Sequence, residues 1–256
     1  MKRVALVGGA GRMGQAIGDG LADVNDITVA VLIDLHEPRD LFGATYLPSI
    51  NDLDVSLVDV VVDFSAPESV VASARWCAAK GVALVIGTTG LSLEQRSHVE
   101  KAGTEVGVVM ASNFSLGAVL SERFAALAAP YFERVEIIEL HHDEKVDAPS
   151  GTSITTAKVI AAARERAGRA PMEDSTVRHT IPGARGAEAT DGIRIHSVRL
   201  PGLVAHQEVH FGGPGEGLTI RHDSFDRQSF VQGVALAVRA IDSTPRFLDG
   251  IASLVE

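Results

Sequence analysis

Lys2-Arg3-Val4-Ala5-Leu6-Val7-Gly8-Gly9-Ala10-Gly11-Arg12-Met13-Gly14 decides the fold. Lys2 to Val7 is a short apolar strand, and an amphipathic run from Met13 to Ala22 follows the glycines at 8, 9, 11 and 14. Gly9, Gly11 and Gly14 spell G-x-G-x-x-G, a turn that lets backbone N–H groups approach a pyrophosphate and a helix start close to a sheet. The match is weak by itself, because glycine-rich turns are common in a chain with 25 glycines. Its setting strengthens it. A second apolar strand, Ile27 to Ile33, ends at Asp34, twenty residues after Gly14, where a carboxylate would accept hydrogen bonds from an adenosine ribose. A carboxylate there also disfavours a 2′-phosphate, which points to NADH. Arg12 and Arg39 could supply a compensating cation, so NADPH stays open, although a solvated surface position is the simpler reading of Arg39.

Outward from the loop, strand and helix alternate. Val58 to Val62 is a β-branched run ending at Asp63, Pro67 to Lys80 is helical, and Val82 to Ile86 is a strand closed by Gly87-Thr88-Thr89-Gly90. A helix over Leu91 to Ala102, a strand over Val106 to Met110, the turn Ala111-Ser112-Asn113-Phe114-Ser115 and a helix from Leu116 to Ala129 complete the series. This order predicts an α/β fold with a Rossmann-like, doubly wound parallel sheet. After Pro130 the texture changes to a strand at Val135 to Leu140, a helix from Gly151 to Arg166 and a long connector from Gly168 to Gly192. Short strands at Arg194 to Leu200, Val204 to Phe211 and Gly217 to Asp223 then predict a smaller, mostly antiparallel α+β unit. The amphipathic segment Ser229 to Ala240 suits either unit.

The composition supports this reading. In 256 residues, 46% are hydrophobic and 22% charged, enough for a full core and too apolar for general disorder. The lone Cys77 forms no internal disulfide, and the start of the chain has no signal-peptide layout, so a cytoplasmic location is expected. No apolar run reaches the roughly 20 residues of a membrane span, and a net charge of −10 disfavours nucleic acid and anionic membranes. An anionic ligand would need locally gathered positive groups.

Such a gathering occurs in Glu139-Leu140-His141-His142-Asp143-Glu144-Lys145-Val146-Asp147-Ala148-Pro149-Ser150-Gly151-Thr152. Two histidines and a lysine follow a strand end, and Pro149 to Thr152 open a helix whose positive end offers N–H groups to a carboxylate. Imidazole and ammonium beside an anion cradle can exchange protons while a hydride arrives. A solvated turn with an ordinary helix cap is the plainer alternative, and the cofactor loop in the same chain favours function. Adjacent strand histidines point to opposite sides and no cysteine joins them, so no metal is expected. Ser150 lacks a G-x-S-x-G elbow and reads as a helix cap.

These residues, with Gly87 to Gly90, Ser112-Asn113-Phe114-Ser115, Gly215 to Ser224 and Ser229-Phe230 with Gly233, resemble the 4-hydroxy-tetrahydrodipicolinate reductase family of the diaminopimelate route to lysine. The resemblance covers essentially the whole chain. It implies a dinucleotide-binding domain from residues 1–115 and 224–256, a substrate and oligomerisation domain from 116–223, and a homotetramer. It further implies NADH or NADPH as cofactor and a small cyclic dicarboxylate as substrate, reduced with loss of water. By position, Gly8, Gly9, Ala10, Gly11, Arg12, Met13, Asp34, Gly87, Thr88, Thr89, Ala111, Ser112, Asn113 and Phe114 would contact the cofactor. His141 would be a proton donor or acceptor and Lys145 the proton donor, while His142, Gly151 and Thr152 would hold the substrate carboxylates.

Two departures stand out. Leu35 follows Asp34 where NADPH-favouring members often carry a basic residue, which supports NADH. Ser153 replaces a common alanine and is expected to alter only packing. Another nicotinamide-dependent dehydrogenase would share the loop and Asp34, and a redox sensor would bind cofactor without chemistry; neither explains His141 through Thr152. Arg221, His222 and Arg227 are secondary candidates with an equally good structural reading.

Overall fold

A computed structural model describes residues 1–255. The chain divides into two compact units, Met1–Leu116 with Arg227–Glu256, and Gly117–Asp226. In the first unit, the strands are β1 (Lys2–Val7), β2 (Ile27–Ile33), β3 (Thr45–Leu47), β4 (Val60–Asp63), β5 (Ala83–Ile86) and β6 (Gly107–Met110). Helices α1 (Arg12–Ala22), α2 (Pro67–Lys80) and α3 (Leu93–Ala102) connect them, and α4 (Leu116–Ala128) starts at the boundary and otherwise belongs to the second unit. The second unit holds β7 (Arg134–His141), α5 (Gly151–Arg166), β8 (Ala187–Glu188), β9 (Arg194–Arg199), β10 (Ala205–Gly213) and β11 (Glu216–Ser224). Helix α6 (Val231–Ala240) and strand β12 (Arg246–Asp249) return to the first unit.

The first sheet runs β12-β6-β5-β4-β1-β2-β3, with every pairing parallel. Its strands are apolar on both faces, as a sheet covered on both sides requires. Ala5, Val31, Val61, Leu84 and Val108 pack with Val70, Ala74 and Cys77 of α2 and Val99 of α3. Residues of the opposite parity, among them Leu6, Leu32, Val60 and Val85, are fully buried on the side of α1 and α6. Chain order reverses between β1 and β4, so the carboxyl ends of these strands flank a switch point, the usual ligand crevice of such sheets. Two edge strands escape the sequence reading. β3 is a three-residue strand of weak pattern, and β12 follows a polar turn after α6.

The second sheet runs β11-β10-β7-β9-β8. Three of its pairings are antiparallel, as the mostly antiparallel expectation has it, and β7 and β9 run parallel. The reason is topological: the chain passes through α5 between them, a crossover that returns it in the same direction. Val135 and Ile137 of β7, Ile195 of β9, and Val209 and Phe211 of β10 pack under α4 and α5, which cover one face. The connector between α5 and β9 carries β8 and is tied by Arg164 to Asp191 at 3.1 Å and by Arg194 to Asp174 at 3.2 Å.

Candidate active site

The glycine loop occupies the switch point, and its shape is fixed by close backbone approach. Gly8 has φ +84° and a Cβ there would lie 2.4 Å from the Phe64 carbonyl oxygen; a Cβ on Gly14 would lie 2.1 Å from that of Gly8. The N–H groups of Gly8 and Gly9 donate to the Ile33 carbonyl at 2.8 and 3.3 Å, and that of Gly11 to the Gly8 carbonyl at 3.1 Å. Gly8 and Gly9 therefore supply shape, and the donors left for an anion come from the start of α1. Gly11 caps that helix with no side-chain bond, and Arg12 and Met13 form its first turn. Asp34 sits just past β2, where its Oδ2 accepts the Ala10 N–H at 2.9 Å. A carboxylate has about four lone-pair sites, so room remains for ribose hydroxyls. A cleft of about 370 Å³ is lined here by Gly8, Gly11, Asp34, Leu35, Phe64 and Ser65. The residues present fit a dinucleotide.

A second cleft of about 240 Å³ joins Thr88, Thr89 and Gly90 to Ala111 and Ser112. Asp63, fully buried, holds this rim: its carboxylate accepts the Ser65, Ser73 and Thr88 hydroxyls at 2.6, 2.6 and 2.9 Å. Gly87 is glycine because a Cβ would lie 2.0 Å from the Phe64 ring. Phe114 is wholly buried, its ring 5.6 Å from that of Phe64, and Asn113 Oδ1 accepts the Ser115 N–H at 2.8 Å. Phe114 thus anchors the turn that presents Ser112 and Asn113.

In the second unit, His141 ends β7 and His142 begins an exposed turn, closed by the Lys145 N–H donating to the His142 carbonyl at 3.3 Å. Lys145 Nζ donates to Asp147 Oδ1 at 2.6 Å. His141 Nδ1 lies 2.5 Å from Glu139 Oε2, and Arg199 grips both oxygens of Glu139 at 2.8 Å. Burial lowers the His141 pKa, the bond to Glu139 offsets this only in part, and the charges of Lys145 and Arg199 add to the lowering. Ser150 caps α5 as expected, accepting the Ser153 N–H at 3.2 Å. Among the described residues, the N–H groups of Gly151 and Thr152 find no partner, and a Cβ on Gly151 would meet open space. Two free donors at a helix N-terminus suit a carboxylate.

A pair of family models divides the chain at the same first boundary as the compact units, between residues 114 and 117, the second running on through α6 and β12. "Dihydrodipicolinate reductase, N-terminus" matches residues 2–114 and "Dihydrodipicolinate reductase, C-terminus" matches residues 117–254. The chain belongs to the dihydrodipicolinate reductase family. It is 44% identical to the 4-hydroxy-tetrahydrodipicolinate reductase of Lactiplantibacillus plantarum, with 100% of both chains covered. It is 46% identical to that of Mycolicibacterium gilvum, with 99% of both covered. Among solved structures it is similar to a dipicolinate-bound dihydrodipicolinate reductase from Paenisporosarcina sp. TG-14, at 38% identity, TM-score 0.87 and full coverage of both chains.

Within this dihydrodipicolinate reductase framework, two features have no role in the sequence reading and a third departs from it. Glu139 and Arg199 were assigned no role, although a charge at a core-facing strand position is a readable signal. The third is a correction. Ser153 does more than pack, because its hydroxyl donates to Gln207 Oε1 at 2.7 Å and meets Ser150 Oγ at 2.9 Å, while Gln207 Nε2 donates to Thr156 at 3.0 Å. Of the secondary candidates, Arg221 pairs with Asp223 at 2.9 Å and with Glu208, and His222 packs against Gly117. Among the described residues, no helix is long and apolar enough to cross a membrane.

Proposed function

We propose that this chain reduces 4-hydroxy-2,3,4,5-tetrahydrodipicolinate to 2,3,4,5-tetrahydrodipicolinate with NADH or NADPH, consuming one proton and releasing water, in lysine biosynthesis through diaminopimelate. The observation that carries this is the pair of family models that together span the chain and both halves of the chemistry. The glycine loop with Asp34 lies in one unit, and His141, Lys145 and the open α5 N-terminus lie in the other.

When bound, the nicotinamide supplies a hydride from its C4 to a ring carbon of the unsaturated substrate. The α1 N-terminus and the glycine loop seat the pyrophosphate, Asp34 accepts the ribose hydroxyls, and the rims at Gly87 to Thr89 and Ala111 to Phe114 enclose the remainder. Gly151 and Thr152 donate N–H groups to a substrate carboxylate, and His142 supplies a further donor nearby in sequence. Lys145 Nζ gives the one consumed proton to the ring as negative charge develops, and His141 serves as proton donor or acceptor beside it. Asp34 with Leu35, which is 84% exposed, favours NADH by opposing a 2′-phosphate without an adjacent cation. A homotetramer is the expected assembly, and the second sheet, covered by helices on one face only, supports association through its other face. Light scattering of the purified chain would measure it.

The direct test follows loss of reduced nicotinamide absorbance with freshly generated hydroxytetrahydrodipicolinate, with NADH and NADPH in parallel and substrate omitted as control. Substrate-dependent oxidation, faster with NADH, is expected. Cofactor binding without oxidation by either dinucleotide would overturn the reading in favour of a nucleotide sensor or another dehydrogenase.

A further inference from the structure

Glu139 occupies a core-facing position of β7, in phase with Val135 and Ile137, and is 0% exposed. A carboxylate in such a place is expelled, neutralised or paired. Here it is paired on both oxygens. Arg199 Nη1 donates to Oε2 and Nη2 to Oε1, each at 2.8 Å, and the Ser150 N–H donates to Oε1 at 3.3 Å. Burial pulls the Glu139 pKa up, but the bonds from Arg199, Ser197 and His141 outweigh it and hold the carboxyl below its ordinary range.

An ionised carboxylate has no proton to give. The hydrogen in the 2.5 Å contact with His141 therefore sits on Nδ1, and in the neutral ring the lone pair is on Nε2. The same ion pair reaches the other functional groups of the stretch. Arg199 Nη2 also donates to the Asp147 carbonyl at 2.7 Å, Asp147 holds Lys145 Nζ, and Ser150 is the cap of α5. A buried ion pair is on average no more stabilising than apolar side chains of the same volume. Stability alone gives this pair no reason to be charged, whereas tautomer selection does.

We propose that Glu139 and Arg199 are a positioning pair: they lock His141 as the Nδ1–H tautomer, so that Nε2 is the nitrogen that exchanges the proton, and they fix the Asp147–Ser150 segment beside it. The catalytic consequence rests on the reductase reading above; the tautomer does not. The charged groups around the ring are Glu139, Arg199 and Lys145, with Asp147 bonded to the last two.

The test is nitrogen NMR of the full-length protein labelled with ¹⁵N-histidine, His141→Asn identifying the resonances. In wild type, above the His141 titration, Nδ1 carries hydrogen and Nε2 does not. Arg199→Lys keeps the charge but loses the two-pronged grip; it is expected to mix the tautomers and to lower kcat roughly 10²-fold, within the 10² to 10⁴ that positioned proton transfer contributes, with NADH Kd near wild type. Glu139→Gln shifts the His141 titration and the acid limb of the kcat profile to lower pH, and Glu139→Asp restores part of both. Should Glu139→Gln fail to fold, the wild-type spectrum and Arg199→Lys still decide. An Nε2–H tautomer in wild type, or an Arg199→Lys protein with unchanged spectrum and pH profile, overturns the proposal. The predicted spectra in a protein that does not turn over hydroxytetrahydrodipicolinate would sink the reductase reading and leave the positioning pair standing.

Discussion

Gly14→Ala sets two effects of opposite sign against each other. Gly14 lies inside α1, where alanine is favoured over glycine by about 1 kcal/mol. In open space the substitution would stabilise the protein. The Cβ it adds would lie 2.1 Å from the Gly8 carbonyl oxygen, 2.8 Å from the Gly8 carbonyl carbon and 2.9 Å from the Gly9 Cα. Cβ contacts essentially never fall below 3.0 Å, so helix and loop must separate by 3.0 − 2.1 = 0.9 Å at the closest point. The opposing atoms are backbone, and the loop cannot yield freely because the Gly8 N–H is bonded to the Ile33 carbonyl at 2.8 Å. Overpacking of this kind costs about 1–3 kcal/mol, and with a rigid partner the upper end applies. The clash wins, for a net loss of about 1–2 kcal/mol. At about 2–4 °C per kcal/mol for a chain of this size, Tm falls by a few degrees.

A loop displaced by nearly 1 Å also misplaces the donors at the start of α1, and a lost hydrogen bond to a charged group costs about 1.5–3 kcal/mol, roughly 10- to 10²-fold in affinity. NADH Kd, measured by fluorescence titration, should rise accordingly. Gly11→Ala is the control, because its Cβ would meet only the Gly8 carbonyl oxygen at 3.3 Å and its φ of −71° suits alanine. That variant loses less Tm than Gly14→Ala, because the contact needs only a few tenths of an ångström of relief, and it loses cofactor affinity because position 11 lines the cleft. A Gly14→Ala protein with wild-type or higher Tm and unchanged NADH Kd would refute the reasoning.

Three further outcomes are expected. Lys145→Ala lowers kcat by roughly 10²- to 10⁴-fold with NADH Kd unchanged; unaltered turnover would remove Lys145 as proton donor. Ser153→Ala leaves Gln207 Oε1 and Ser150 Oγ short of a buried partner at a cost of about 1–3 kcal/mol, read by urea denaturation, and a neutral result would return Ser153 to a packing role. Burial raises the Glu122 carboxyl from 4.5 to about 7, against a smaller opposing bond from Thr156. The folded state therefore holds this proton more tightly than the unfolded state. Glu122 lowers stability progressively as pH rises from about 4.5 to about 7 and by a constant amount above that. Glu122→Gln should gain stability over wild type across that window and not below it, and a parallel pair of stability curves would contradict the assignment.

The sheet of the first unit was legible because its strands are short, wholly apolar and punctuated by glycine or aspartate, and because α2 opens with Pro67 and closes at Gly81. β3 and β12 were not, since edge strands of three and four residues carry too few positions for a period-2 pattern. The glycine loop and Asp34 could be located from spacing, but not the division of labour among the loop's N–H groups, which depends on the Ile33 carbonyl lying beside them. Likewise the Glu139 to Thr152 stretch announced its chemistry, while the partner that organises it, Arg199, lies sixty residues away on β9. Pairing β7 parallel to β9 brings Glu139 and Arg199 to the same end of the sheet, and sequence patterns do not encode that register.

A chain with a net charge of −10 must bind anions, and it solves the problem twice with the same device. At α1 the cap is Gly11, which contributes no side-chain acceptor. At α5 the cap is Ser150, which satisfies only the Ser153 N–H and leaves Gly151 and Thr152 open. Neither first turn contains an acidic residue, although aspartate or glutamate is the stabilising choice there. By contrast α3, outside both sites, opens on a full capping box of Ser92 and Gln95 with Glu94 in its first turn. Stability would favour the α3 pattern at all three helices. On the proposed function, the open positive ends of α1 and α5 serve a diphosphate and a carboxylate respectively, and the charge needed for binding resides in backbone dipoles.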